Sequence, residues 1–164
     1  MIVLGIDPGY AITGWAALRK RRSKIEVIDY GCIYTEKDIE HTDRLLLLHR
    51  ELSGIIKKYK PKIGVVEDIF FYKNVKTALK VGQARGVILL TCIQNNLDIY
   101  EFTPLQVKQA LVGYGRADKM QVQKMVKLIL GLDKIPKPDD AADALAVAVT
   151  YIHAHKFLEK TKKK

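Results

Sequence analysis

Four acidic residues stand where folding could bring them together: Asp7, Glu67, Asp140 and Asp143. Asp7 ends the apolar run Ile2-Val3-Leu4-Gly5-Ile6 and precedes Pro8-Gly9. Its side chain therefore emerges where a strand leaves its sheet, with capping of that turn as the simpler use. Glu67 repeats the arrangement after Ile63-Gly64-Val65-Val66, a run apolar on both faces and so a strand covered on both sides. A buried ionised carboxylate needs compensation, and a plain salt bridge would serve there as a metal would. Asp139 and Asp140 open a helical segment, where capping and the helix dipole favour acids. Asp143 lies deeper, within Ala141-Ala142-Asp143-Ala144-Leu145-Ala146-Val147, where capping gives no reason for it. Asp140 and Asp143 are spaced i, i+3 and can reach one point from one helix face.

Acids of this kind suit a hard divalent cation, magnesium before others, since such ions prefer carboxylate and water oxygens. Four carboxylates can hold two ions with room for water and a phosphate. One ion would then ready a water for in-line attack on phosphorus while the other stabilises the leaving oxygen. The chemistry would be phosphodiester hydrolysis, provided the acids converge.

The elements that must position them can be read from periodicity and punctuation. Strands are expected over 2–6, 13–19 and 24–34, joined by short turns that favour an antiparallel meander. A helix follows over about 42–59, its leucines 45, 48 and 52 at helical spacing, and Pro61 stops it before a fourth strand, 62–67. A long helix over 74–95 leads to a fifth strand, 97–102. Helices over 104–112, 119–130 and 140–153 complete the chain, the last set off by Ile135-Pro136-Lys137-Pro138. The pattern predicts an α/β fold: a mixed five-stranded sheet, three strands in an antiparallel meander and two parallel, flanked by helices. Residues 1–155 form a single expected domain, and 156–164 a basic, loosely held tail.

Composition narrows the partners. The 164 residues carry 28 Lys and Arg against 18 Asp and Glu, a formal charge of +10 that suits a polyanion without requiring one. Cys32 and Cys92 are far apart in apolar surroundings, as reduced buried thiols would be. The N-terminus has no secretory pattern and no apolar run is long enough for a bilayer, so a cytoplasmic location is expected.

Several motifs in register carry a resemblance: Gly5-Ile6-Asp7-Pro8-Gly9, Gly82-Gln83-Ala84-Arg85-Gly86, Gln106-Val107-Lys108-Gln109 and Asp140-Ala141-Ala142-Asp143-Ala144-Leu145-Ala146. Together they resemble the bacterial RuvC family of Holliday-junction resolvases over about residues 2–153. The resemblance implies an RNase H-like fold and a magnesium-dependent homodimer that cuts two symmetric strands of a four-way DNA junction. Manganese is a candidate substitute for magnesium. The RuvA–RuvB branch-migration complex is an implied partner. Asp7, Glu67, Asp140 and Asp143 become the metal-binding catalytic acids, with Asp139 left as an alternative to Asp140. Lys108 and Lys119 match positions associated with DNA contact and catalysis.

Other DNA contacts are expected from position. Phe70 and Phe71 follow Glu67, where rings could stack on unpaired bases or belong to the core. Arg116, in Gly113-Tyr114-Gly115-Arg116, could reach a phosphate from what is otherwise an ordinary turn. Arg19-Lys20-Arg21-Arg22 with Lys24 is the densest basic cluster, and such runs are more often solvated. Ala78, Gly82 and Gly86 make a small-residue stripe on the long helix, suited to close packing on the protein's own sheet or across a dimer axis. Two other functions remain open at this stage: a different RNase H-like nuclease, acting on RNA–DNA hybrid or transposon ends, and a non-catalytic junction-binding protein. A sugar-kinase or actin-like ATPase fits poorly, as the chain is short for a two-domain clamp and lacks a second glycine-rich phosphate segment.

Overall fold

A computed structural model describes residues 1–22, 24–68 and 75–161. Five strands, β1 (Ile2–Asp7), β2 (Ile12–Arg21), β3 (Lys24–Tyr34), β4 (Ile63–Glu67) and β5 (Asp98–Phe102), form one sheet in the order β3-β2-β1-β4-β5. β1 pairs antiparallel with β2 and β2 with β3, while β1–β4 and β4–β5 are parallel. The helices are α1 (His41–Tyr59), α2 (Val75–Gln94), α3 (Pro104–Val112), α4 (Lys119–Leu130) and α5 (Asp139–Thr161). This is the mixed sheet with flanking helices expected from the sequence.

The alternation of a strand's side chains decides which face the acids occupy. Val3 of β1, Ala16 and Leu18 of β2, and Ile63 and Val65 of β4 pack with α3, α4 and α5. Leu4, Ile6, Ala17 and Val66 pack on the other face with α1 and α2. Asp7 and Glu67 continue the odd-numbered rows of β1 and β4, so both turn towards α5. A slip of one residue in either strand would send its acid to the opposite face.

α5 is buried almost all round from Ala141 to Ile152, as suits a helix held between a sheet and two other helices. Its small residues let it lie very close to the strands. A Cβ added at Gly5 would meet the Ala144 carbonyl oxygen at 2.1 Å, and one at Gly14 would meet the Asp140 carbonyl oxygen at 1.9 Å. Only glycine admits that approach, and it carries the first turn of α5 to the ends of β1 and β2.

Two boundaries differ from expectation by more than one residue. The last helix runs to Thr161, past the expected end at 153, because after Pro138 neither proline nor glycine interrupts a run of good helix formers. The first residues of the expected tail are thus helical. The turn expected at Lys20-Arg21-Arg22-Ser23 is shorter, since Arg21 still pairs with Lys24 and Arg22 takes a positive φ of 50°, as two-residue hairpins require. The basic cluster at this hairpin lies at the end of the sheet away from Asp7, which pairs with Gly14, roughly 17 Å along β2 from Arg19. Among the described residues, no helix is long and apolar enough to cross a membrane.

Candidate active site

Asp7 and Glu67 end adjacent parallel strands and share a hydrogen bond between their carboxyls. Burial, reinforced by the nearby charges of Glu67, Asp143 and Asp140, pushes the Asp7 carboxyl up to about 9. Burial likewise raises Glu67, with Asp7 as hydrogen-bond donor and the Lys119 and Lys108 ammonium groups opposing the rise. A pair of this kind retains a proton in the absence of another cation.

Asp143 approaches from α5. Its carboxylate accepts from Lys119 Nζ at 2.9 Å, and burial still holds its pKa above the ordinary range against that cation. Lys119 is the first residue of α4, where the helix dipole disfavours a lysine. Burial also opposes its charge, yet the hydrogen bond to Asp143 and the surrounding acids hold its ammonium above the usual range. α4 is capped by Asp118, whose side chain accepts from the Gln121 backbone N–H while the Gln121 side-chain oxygen accepts from the Asp118 backbone N–H. α3 starts with the same reciprocal box at Thr103 and Gln106, with proline in its first turn. These caps fix the two helices from which Lys119 and Lys108 reach inwards.

Glu67, Lys108, Lys119 and Asp143 line a cavity of about 250 Å³, floored by Val107, Val122 and Ala146. An adjoining cavity of about 670 Å³ runs along Thr103–Gln106 and Gly115 and shares Lys108. The lining is a mixture of acids that can bind a cation and lysines that can bind an anion.

The two aspartates at the start of α5 part company. Asp140 is among the charges that raise Asp7. Asp139 is absent from that set: it accepts from Lys137 at 2.7 Å and lies 3.6 Å from Lys119, and the Lys137 hydrogen bond is the main cause of its lowered pKa. The chemistry of the donor set fits a hard cation, because buried like-charged carboxyls are held together by a shared proton and a lysine. Among the described residues, however, no three acids close round one ion's position. Lys119 is instead the counter-charge of Asp143.

Of the other expected contacts, Phe70 and Phe71 lie outside the described residues. Arg116 is exposed between α3 and α4 and lines neither cavity. Cys92 is buried and burial pushes its thiol up to about 12, while Cys32 is half-buried; both are free. Two residues that the sequence reading passed over help to hold the surroundings. Arg85 bridges Asp68, just after Glu67, to Glu101 of β5, fixing the exit of β4. Arg44 lies on the buried stripe of α1 with Leu48, Leu52 and Ile56. An arginine in an otherwise apolar i, i+4 row was the available signal.

The family model for "Crossover junction endodeoxyribonuclease RuvC" matches residues 3–151. A protein of that name from Caldicellulosiruptor saccharolyticus is 60% identical over 153 residues, 93% of this chain and 92% of its own. Its namesake from Halothermothrix orenii is 55% identical over 160 residues, 98% and 97% of the two chains. The solved Thermus thermophilus RuvC structure superposes with a TM-score of 0.88 at 34% identity, covering 96% of each chain. T. thermophilus RuvC in complex with Holliday junction substrate gives 0.88 at 31% identity, with the same coverage.

Proposed function

Because the chain belongs to the RuvC family of crossover junction endodeoxyribonucleases, we propose that it resolves four-way DNA junctions by paired, symmetric nicks in recombination and repair. Asp7, Glu67, Asp140 and Asp143 would hold two magnesium ions, which supply an activated water and a stabilised leaving oxygen when bound. The observation that carries this reading is the convergence of Glu67 and Asp143 with Lys108 and Lys119 in one cavity, with the Asp7 carboxyl hydrogen-bonded to Glu67. The likeness to a RuvC bound to Holliday junction supports the choice of substrate.

The chain's own residues have distinct tasks. Asp7, central in the cluster and the acid that carries the shared proton, would give that proton up to an incoming cation and so help to place the reacting phosphate. Lys119 is held above its ordinary pKa, so it stays charged and can transfer its pairing from Asp143 to a phosphate oxygen. Lys108 places a second positive charge in the lining of the same cavity. Phe70 and Phe71 are proposed to stack on bases at the junction centre, and Arg116 to contact a more distant phosphate.

A two-fold dimer is part of the proposal, because it would set identical sites on a symmetric junction. Gly82 and Gly86 are exposed, and a Cβ at either would meet nothing within 4 Å, so the stripe does not pack on the protein's own sheet. The apolar side chains Val75 and Leu79 before it, and Leu90 and Ile93 after it, are exposed as well. Collaboration with RuvA–RuvB and action in the cytoplasm rest on the family resemblance.

Incubation with magnesium and an immobile four-way junction, a linear duplex or an RNA–DNA hybrid tests the assignment. Paired nicks confined to the junction are the expected outcome, and preferential cutting of the hybrid would reject it. Sedimentation of Leu79→Glu should show monomers, with single rather than paired nicks.

A further inference from the structure

On the opposite face of the sheet, at the same end of β1, lies a second charged pocket. It has a volume of about 280 Å³ and is lined by Tyr10 and Ala11 from the β1–β2 turn, Lys37 from the β3–α1 loop, Arg44 from α1, and Lys76, Thr77 and Lys80 from α2. No acid is in that lining; Glu36, Asp38 and Glu40 of the neighbouring loop are exposed.

Arg44 is the residue that requires explanation. It is only 6% exposed, yet all its hydrogen bonds go to uncharged groups. Nε donates to Thr35 Oγ1 at 3.1 Å, and Nη2 donates to the carbonyls of Thr35 and Tyr10 at 2.9 and 3.3 Å. The guanidinium carbon lies 3.8 Å from the centroid of the Tyr10 ring. Nη1 makes no hydrogen bond to a described residue and is not among the buried unsatisfied atoms, which leaves it facing the pocket. Stapling the two loops accounts for Nε and Nη2, but an uncharged amide could donate to the same carbonyls. The charge itself has no carboxylate partner among the described residues, and a buried cation without one is costly. An anion seated against Nη1, with Lys37 and Lys80 at the rim, would compensate it. Guanidinium and ammonium donors together suit a phosphate.

We infer that this pocket binds a backbone phosphate of the DNA substrate, next to but distinct from the phosphate that is cut. The inference rests on the nucleic-acid reading above and adds a second anchoring point to it. Only Pro8 and Gly9 separate Asp7 from Tyr10, so their Cα atoms are at most about 11 Å apart. At about 3.4 Å of rise per nucleotide, the two sites would engage phosphates two or three nucleotides apart, or facing strands at a branch. The strand would then cross the end of β1 and be held on both faces of the sheet.

The test uses the full chain with Lys37→Gln/Lys80→Gln, which spares the buried Arg44, and a control, Lys57→Gln/Lys62→Gln, with the same charge change at the far end of the sheet. Junction affinity is measured by fluorescence anisotropy over a salt series, and nicking is followed in the same wild-type samples. The pocket variant should bind several-fold more weakly and show a log K against log salt slope shallower by about 1–2, the control keeping the wild-type slope. A wild-type slope in the pocket variant, or an equal loss in the control, overturns the pocket while wild-type nicking leaves the function standing. A wild type that neither prefers nor nicks the junction overturns the function, and the pocket's assignment with it. Inorganic phosphate at matched ionic strength forms a further arm. A rise in Tm that the variant lacks, with an unchanged junction slope, would mean a site for free phosphate and overturn the DNA contact.

Discussion

The two faces of the sheet at the end of β1 have opposite unmet charges. On the α5 face, buried carboxyls are crowded together with one shared proton and a borrowed lysine. On the α1–α2 face, a buried guanidinium is surrounded by neutral oxygens and further lysines. One region is short of a cation, the other of an anion. A phosphodiester chain accompanied by metal ions supplies both, so the same ligand can relieve two strains that neither face relieves alone. On the proposed reading, the acids would select what reacts, and the basic pocket where the strand lies.

The comparison breaks most visibly at Asp7. Asp7→Asn should lower junction cleavage on the order of 10³-fold while retaining junction binding, as followed by nicking and anisotropy in parallel; unchanged cleavage would remove Asp7 from the site. Lys119→Ala should lower cleavage on the order of 10²-fold, with weaker binding, because its ammonium leaves both Asp143 and the phosphate. On the other face, Arg44→Leu should act first on the fold. Leaving the Thr35 carbonyl without its donor, and the Tyr10 carbonyl with the Thr35 hydroxyl alone, should cost about 2 kcal/mol, or 4–8 °C of Tm, read by thermal denaturation. The smallest effect has the opposite sign. Metal-free Asp7→Asn should be stabilised by about 1 kcal/mol at pH 8, some 2–4 °C.

That last gain has a pH signature. Below about 3.8 the Asp7 carboxyl is protonated both folded and unfolded and contributes nothing, whereas its folded pKa is pushed up to about 9. As pH rises between those values the unfolded chain releases the proton more readily, so wild-type metal-free stability falls across that window. Asp7→Asn should flatten the decline, and magnesium should counter it in the wild type alone.

The two faces were not equally legible in the sequence. Strand alternation and the apolar setting of Asp143 announced the acidic face, because a charge in a small-residue helix or at the end of an apolar strand violates its surroundings. The choice between Asp139 and Asp140 was not legible. It turns on ion pairs such as Lys137–Asp139 and Lys119–Asp139, the second of them between separate helices, which periodicity does not reveal. The pocket around Arg44 was harder still, since Tyr10, Thr35 and Lys80 come from three separate elements and none breaks a local pattern. Helix starts at Pro104 and Lys119 were readable from their caps, whereas the end of α5 had no stop signal to read.

The glycine contacts that seat α5 also set a schedule. Gly5 and Gly14 belong to the β1–β2 hairpin, while Asp140, Ala144 and Ala148 lie far along the chain from it and are made after it. Docking them closes a loop of more than a hundred residues, the kind of contact that forms late in folding. A nascent or truncated chain therefore carries Asp7 and Glu67 but cannot assemble the acid cluster. Assembly of the acid cluster waits on the docking of α5 against Gly5 and Gly14.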